Sequence, residues 1–191
     1  VVAVRLAEGG SLELALAGVD QALADASKRE SGPSEEAPPR TTGAALRRAT
    51  DDALVLVSVP GPSAFVEAMD AVESGHDVMV FSDNVPVDQE VRLKEAAAER
   101  RLLVMGPDCG TAVVGELGLG FANVTRPGPV GLVAASGTGS QQVLALLDHA
   151  GVGVTHALGV GGRDLSADVG GLATREALRR LDEDSSVEHI L

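Results

Sequence analysis

Tryptophan and tyrosine are absent from this 191-residue chain, and three phenylalanines supply its whole aromatic content, 2% of the residues. A protein that stacks nucleic-acid bases on aromatic side chains needs more than that. Positive charge is also scarce: 15 Lys and Arg stand against 28 Asp and Glu, a formal net charge of -13. Nucleic acid and anionic membrane both require cationic surface, so neither is expected as a partner. The acidic surface serves solubility. With one cysteine, Cys109, there is no internal disulfide, which fits a reducing cytoplasm. No apolar run is long enough to span a bilayer, and no signal peptide is read in the sequence. The four histidines and one cysteine have no metal-ligand spacing, and no nucleophile–base–acid set is apparent.

What is present suits a globular α/β chain: 45% apolar and 23% charged residues, with 23 glycines. The length allows one full domain and part of a second. Val1–Val4 opens inside a strand and Val187–Leu191 closes inside another, so the chain reads as a segment of a longer protein. An unpaired sheet edge at 187–191, with apolar surface beside it, would favour association in solution.

Residues 1–7 read as a strand. Ser11 then caps a helix with Leu12, Leu16, Val19, Leu23 and Ala26 on one face. Residues 29–43 are polar and Pro-rich, a flexible linker, and a short helix follows at 44–49. Strands are expected at 54–59, 77–81 and 102–105, with helices from Pro62 to Ser74 and over 87–100 between them. That alternation implies a parallel sheet with right-handed crossovers. Short β structure is expected at 115–121, and Arg126–Pro129 is the expected domain boundary. Strands at 130–135, 153–159 and from 187, with helices at 139–150 and 174–183, make a second unit.

Candidate chemistry lies at the strand exits, where ligand sites form in α/β sheets. Ser136-Gly137-Thr138-Gly139 joins a buried strand to a helix start, where free N–H groups and the helix dipole suit a phosphate or carboxylate. Taken alone, the same pattern also fits an ordinary capped helix. It lacks the Gly-Lys-Ser/Thr end of a Walker A loop and is not a complete G-x-G-x-x-G. Gly161-Gly162-Arg163 leaves the next strand, and Arg163 either complements an anion or pairs with Asp164 or Asp168. Gly106-Pro107-Asp108-Cys109-Gly110-Thr111 leaves strand 102–105. Cys109 has no sequence neighbour that would lower its pKa and reads as buried and inert. His156 reads as packing, and His76 and His149 as helix-end residues.

Together these loops resemble the alpha subunit of succinyl-CoA synthetase over roughly 50–191. Val59-Pro60-Gly61-Pro62 resembles a Val-Pro-x-Pro turn, and Ser82-Asp83-Asn84-Val85-Pro86 an acidic loop ending in Pro. Gly106–Gly110 resembles a Gly-Pro-Asn-Cys-Pro-Gly loop, Ser136-Gly137-Thr138 the Ser-Gly-Thr of a phosphate-facing helix, and Gly161-Gly162 a following Gly-Gly loop. The resemblance to the FdrA-like branch of that superfamily covers nearly the whole chain. It is carried by Phe81–Val85, Val104–Thr111, Phe121–Val124, Ala135–Gly139 and Gly161–Ser166.

The resemblance implies a Rossmann-like CoA-binding-type domain at 44–125, after the end of a preceding α/β unit at 1–28. An incomplete flavodoxin-like ligase domain would follow at 129–191. It places CoA or a related cofactor at Pro60, Pro62, Ser82, Asp83, Pro107, Asp108 and Cys109. A phosphate would lie at Ser136, Gly137, Thr138, Gly139, Gly161, Gly162 and Arg163. A nucleotide, ADP/ATP or GDP/GTP, would enter only through a partner subunit, in a homo- or hetero-oligomer. Four departures are visible. Residues 1–50 hold no counterpart of the family's Gly-rich CoA loop, Asp108 stands where Asn is usual, Gly110-Thr111 stands where Pro-Gly is usual, and none of the four histidines occupies the phosphohistidine motif. The implied function is an acyl-CoA synthetase handling an acyl phosphate and CoA. Carbamoyl or acyl-phosphate transfer of the oxamate type, and a non-catalytic CoA- or nucleotide-binding module, are the alternatives.

Overall fold

The computed structural model describes residues 10–27, 39–50 and 52–191. The strand expected at 1–7 and most of the expected linker lie outside them. The chain divides into two units, residues 1–38 and 39–191. In the first, α1 (Leu12–Ser27) is capped as expected, with the Leu14 N–H donating to Ser11 Oγ at 3.4 Å.

The second unit begins with α2 (Thr42–Leu46), whose first turn the Ala44 N–H closes onto Thr41 Oγ1. The helix therefore starts two residues earlier than expected, inside what read as linker. Then come β1 (Val55–Val57), α3 (Gly61–Glu73), β2 (Val78–Val80), α4 (Val87–Glu99) and β3 (Val104–Met105). The three strands pair in parallel in the order β1-β2-β3, with Val55 opposite Val78 and Val78 opposite Val104. Val78 and Val80 pack beneath α3 and α4, whereas Met79 faces the opposite core. Both faces of this short sheet are thus covered, as its unbroken apolar strands require. Ala64, Ala68 and Ala71 bring α3 close to the sheet, and Gly75, in the left-handed region, follows its end.

The chain then forms β4 (Thr111–Val114), β5 (Leu117–Gly120), β6 (Val130–Ala134), α5 (Gly137–His149), β7 (Val154–Gly159), α6 (Leu172–Glu183) and β8 (His189–Ile190). The second sheet has the order β5-β4-β7-β6-β8. The α/β class is as expected, but this sheet is mixed rather than parallel. β4 and β5 form a hairpin, and β4 runs antiparallel to β7. Gly115 and Glu116 both have positive φ, 54° and 70°, so a two-residue turn with the twist of its strands joins Val114 to Leu117. The chain passes between sheets at Gly106–Gly110, about twenty residues before the expected Arg126–Pro129 boundary.

One core lies between the two sheets and α6: Met79, Leu103, Met105, Cys109, Ala112, Leu158, Val160, Ala173, Ala177 and Leu181. Among these apolar residues, burial pushes the Cys109 thiol up to about 11. Beside them sits a charge. Lys94 has 2% of its surface exposed, and its Nζ donates to Glu90 Oε1 (2.9 Å), Asp164 Oδ1 (2.8 Å) and the Val160 carbonyl (2.9 Å). Asp164 in turn accepts the Ala173 and Thr174 N–H groups and the Thr174 hydroxyl at the start of α6. Burial alone would raise the Asp164 carboxyl. The hydrogen bonds from Lys94 and Thr174 outweigh it and hold the group below the usual carboxylate range.

Lys94→Ala leaves two buried carboxylates without their cation and is expected to cost about 3–5 kcal/mol of stability, read by urea denaturation. Because the folded Asp164 pKa is depressed, its contribution is present above the unfolded value and lost as pH falls through the folded one. Asp164→Asn should flatten that acid limb, and an unchanged limb would contradict the assignment. For Cys109, two units of pKa above the ordinary thiol mean roughly a hundredfold less thiolate at pH 8. Native protein should therefore react with a disulfide reagent at least about a hundredfold more slowly than urea-unfolded protein. Equal rates would refute a buried thiol.

Candidate functional site

The strand exits of both sheets meet on one edge and are hydrogen-bonded to one another. The Gly106 N–H donates to Gly159 O (3.0 Å), Asp108 N–H to Ser82 O (2.9 Å) and Cys109 N–H to Val80 O (3.1 Å). Between them runs a groove made of two adjoining hollows of about 370 and 460 Å³. Ser58, Val59, Phe81, Ser82 and Asp83 line the first, whereas Thr111, Ala135–Thr138, Gln141 and Gly162 line the second. Asp108, Gly110 and Phe121 line both.

The second hollow opens on the start of α5. Ser136 Oγ accepts the Gly139 N–H at 3.1 Å, and the Ser140 hydroxyl donates to Ser136 O at 2.9 Å. The capped-helix reading is therefore correct. It does not use every donor, because the Gly137 and Thr138 N–H groups have no acceptor among the described residues. Gln141 Nε2 donates to Thr111 Oγ1 (2.9 Å), which fixes α5 against the start of β4. Oriented amides at a helix N-terminus, with hydroxyl and carboxamide groups beside them, are suited to holding an anion.

The first hollow is different in character. Phe81 and Phe121 meet edge to face, ring centroids 5.3 Å apart, and Phe121 remains 69% exposed. The Ser82 hydroxyl is committed to the backbone, donating to Val59 O (2.5 Å) and accepting the Val59 N–H (3.1 Å). It ties two strand exits together and is not free for a ligand. Asp83 and Asp108 are exposed, and among the described residues no lysine or arginine lines either hollow.

The sequence-based candidates divide accordingly. Asp83, Asp108, Ser136, Gly137, Thr138 and Gly162 lie on the groove, with Ser82 in its wall. Gly139 stands one residue further into α5 as the partner of the Ser136 cap. Pro60 and Pro62 are exposed at the start of α3 and line neither hollow, and Pro107 is buried. Gly161 is packed against the Pro107 carbonyl, with no room for a side chain.

Two expectations need correction. Cys109 is 3% exposed and its Sγ faces the Thr111 carbonyl at 3.5 Å, so it is a core residue and lines neither hollow. Arg163 does not line the groove, and neither Asp164 nor Asp168 is its partner. Its Nη2 donates to Val85 O at 2.7 Å and lies 2.9 Å from Glu90 Oε2. Glu90 thus lies between two cations, with Lys94 on Oε1 and Arg163 beside Oε2. Thr111 belongs to the candidate loop 106–111, whereas Gln141, Ser58 and the two phenylalanines were not foreseen as site residues. An aromatic left exposed beside a Gly-rich loop was the available signal for Phe121.

His156 is placed elsewhere, in an apolar cavity of about 210 Å³ at the opposite strand ends. Its Nδ1 accepts the Gly115 N–H (3.1 Å), so Nε2 carries the proton shared with Asp184 (2.9 Å).

No family model matches the chain. Its sequence is 44% identical over 163 residues to the uncharacterized protein YahF of Escherichia coli K12, covering 85% of this chain and 32% of that protein. It is 30% identical over 152 residues to succinate–CoA ligase (ADP-forming) subunit alpha 2 of Archaeoglobus fulgidus, covering 77% of this chain and 51% of that one. The chain thus spans a third to a half of the length of these curated relatives. Among solved structures, ATP citrate lyase from Methanothrix soehngenii, in complex with citrate and coenzyme A, superposes with a TM-score of 0.63 at 20% identity. That match covers 72% of this chain and 24% of the lyase. A dinucleotide-forming acetyl-coenzyme A synthetase of Ca. Korarchaeum cryptofilum, in complex with phosphate and ADP, gives 0.56 at 15% identity, covering 81% and 41%. The chain is therefore similar in sequence to succinate–CoA ligase alpha subunits and shares its fold with part of these acyl-CoA-handling enzymes.

Proposed function

We propose that this chain is the part of an acyl-CoA ligase-like enzyme that holds an acyl phosphate and presents it to CoA. The observation that carries the reading is the pair of unused N–H groups of Gly137 and Thr138, facing a groove bounded by the Gly106–Thr111 loop. The phosphoryl group would accept from these amides and from Gln141 or Thr138. Charge developing on its oxygens would be stabilised by fixed dipoles instead of a basic side chain. The uncharged, amide-bearing arm of CoA suits the other hollow, where Asp83 and Asp108 can accept N–H groups and the phenylalanines offer apolar surface. Its phosphates would then lie outside, towards Pro60 and Pro62. A partner subunit supplying nucleotide and a cytoplasmic oligomer belong to the same proposal. No helix among the described residues is long and apolar enough to cross a membrane.

A second reading rests on a specific observation. No histidine lines the groove: His156 pairs with Asp184, His76 bonds Ala53 O, His149 ends α5 and His189 lies on β8. A phosphohistidine step would draw its histidine from outside these residues, and for the residues present the second reading is direct acyl or carbamoyl transfer from the phosphate, the FdrA-like alternative, or binding alone.

Calorimetry with inorganic phosphate, acetyl phosphate, carbamoyl phosphate, CoA, ADP and a DNA duplex tests the reading. Phosphate compounds should bind and DNA should not. The informative variant is Gly137→Val. A Cβ there meets only Thr111 Oγ1 at 3.8 Å and Gly110 N at 4.0 Å, so it enters the hollow without displacing the fold. At Gly139 a Cβ would instead press on Ser136 at 3.2 Å and disturb the cap. Forfeiting a charge-assisted hydrogen bond costs about 1.5–3 kcal/mol, so Gly137→Val should weaken phosphate at least about tenfold with an unchanged circular dichroism spectrum. Unaltered affinity in the folded variant would remove the anion from this helix.

A further inference from the structure

The charge of the groove is uneven. Unpaired amides stand at one end, and among the described residues the only formally charged ones lining either hollow are two carboxylates, Asp83 and Asp108. Asp83 lines only the first hollow, whereas Asp108 lines both and so borders the place where the group attached to a bound phosphate must lie. Its position is fixed by backbone. The residue is in the left-handed region (φ 61°), its N–H is held by Ser82 O at 2.9 Å, and the following Cys109 N–H is held by Val80 O. Nearby cations do not neutralise it. Arg163 is bound to Glu90 and Val85 O, and Lys94 is enclosed between Glu90, Asp164 and Val160 O.

We infer that Asp108 is a specificity-determining residue, which restricts the acyl group to one without a negative charge of its own. The inference rests on the proposed anion site at Gly137–Thr138 and adds the class of acyl group that site accepts. A phosphate at α5 gains more from two oriented amides than it loses to a carboxylate at the rim. A second anionic group carried beside Asp108 has no donor to compensate it, so like-charge repulsion acts on it alone. A neutral group, and best one bearing N–H donors, gains a hydrogen bond to the same carboxylate. Dicarboxylic acyl groups are thereby disfavoured, and uncharged or amide-like ones preferred.

Phosphonoacetamide and phosphonoacetate test this, being stable, nearly isosteric, and different by one carboxylate charge; inorganic phosphate is the reference ligand. All three are titrated into the full 191-residue chain at low ionic strength, because the groove is open to solvent and salt screens it. Phosphonoacetamide should bind about tenfold more tightly than phosphonoacetate. Asp108→Asn should bring the ratio to within about twofold of one, mainly by improving phosphonoacetate, and added salt should narrow it in the unmodified chain. Asp83→Asn should leave the ratio within about twofold of its original value. If inorganic phosphate binds but the two phosphonates bind alike, the role of Asp108 is overturned and the anion site stands. A ratio abolished by Asp83→Asn and not by Asp108→Asn overturns it as well. If none of the three binds, the reading of the groove fails and this inference with it.

Discussion

A single ammonium group sets the arrangement on which the groove depends. Lys94 lies on the buried stripe of α4 and binds Glu90 on its own helix, the carbonyl that ends β7, and Asp164 in the following Gly-rich loop. Asp164 closes the start of α6 as well. One charge therefore joins the helix layer of the first sheet to the strand exit, loop and helix of the second. A buried charge pays heavily for desolvation unless every donor finds an acceptor, and here the three donors of the ammonium have three. That demand admits little slack in where the Gly161–Gly162 turn sits.

The groove follows from that registration. With β7's exit held to α4, Gly159 O receives the Gly106 N–H, and Val160 N–H reaches Ala134 O at the end of β6. The loops after β2, β3, β6 and β7 therefore assemble as one hydrogen-bonded rim. Arg163 adds to it from outside, joining the Gly-rich loop to Val85 and Glu90. Its guanidinium is spent on the scaffold and does not line the groove.

How much of this was legible in the sequence can be judged element by element. β2, α3, α4, α5 and α6 declare themselves by apolar spacing and by their caps and stops, and they fall within a few residues of expectation. The loops at 106–111, 136–139 and 161–162 were readable as strand exits rich in glycine, and most of the groove comes from them. The hairpin was only half readable, since Gly115-Glu116 is not one of the Asn-Gly or Asp-Gly pairs that usually announce such a turn. Lys94 was not readable at all. At i and i+4 on a helix, Glu90 and Lys94 look like an exposed pair, and what buries them is Asp164, seventy residues further on. Arg163 was misassigned for the same reason: its partner was set by a contact that the sequence leaves open. Cys109 was correctly read as buried, while the family resemblance had placed it at the cofactor.

The proposed use of amides at α5 is consistent with the charge of the whole molecule. A surface with a formal net charge of -13 repels anions at long range, so diffusion gains no electrostatic steering toward the groove. Selection must then occur at contact, where peptide dipoles act within the first helical turn and fall off quickly beyond it. Dipoles of this kind neither titrate nor require a counter-ion, whereas a lysine or arginine in the same place would be drawn to Asp83 or Asp108. Such a site is blind to an anion at a distance and discriminating once the anion is seated, because the remainder of the ligand then faces carboxylates with nothing to offset them. The acidity of the chain and the absence of a basic residue in its groove are in that sense one property, expressed at two distances.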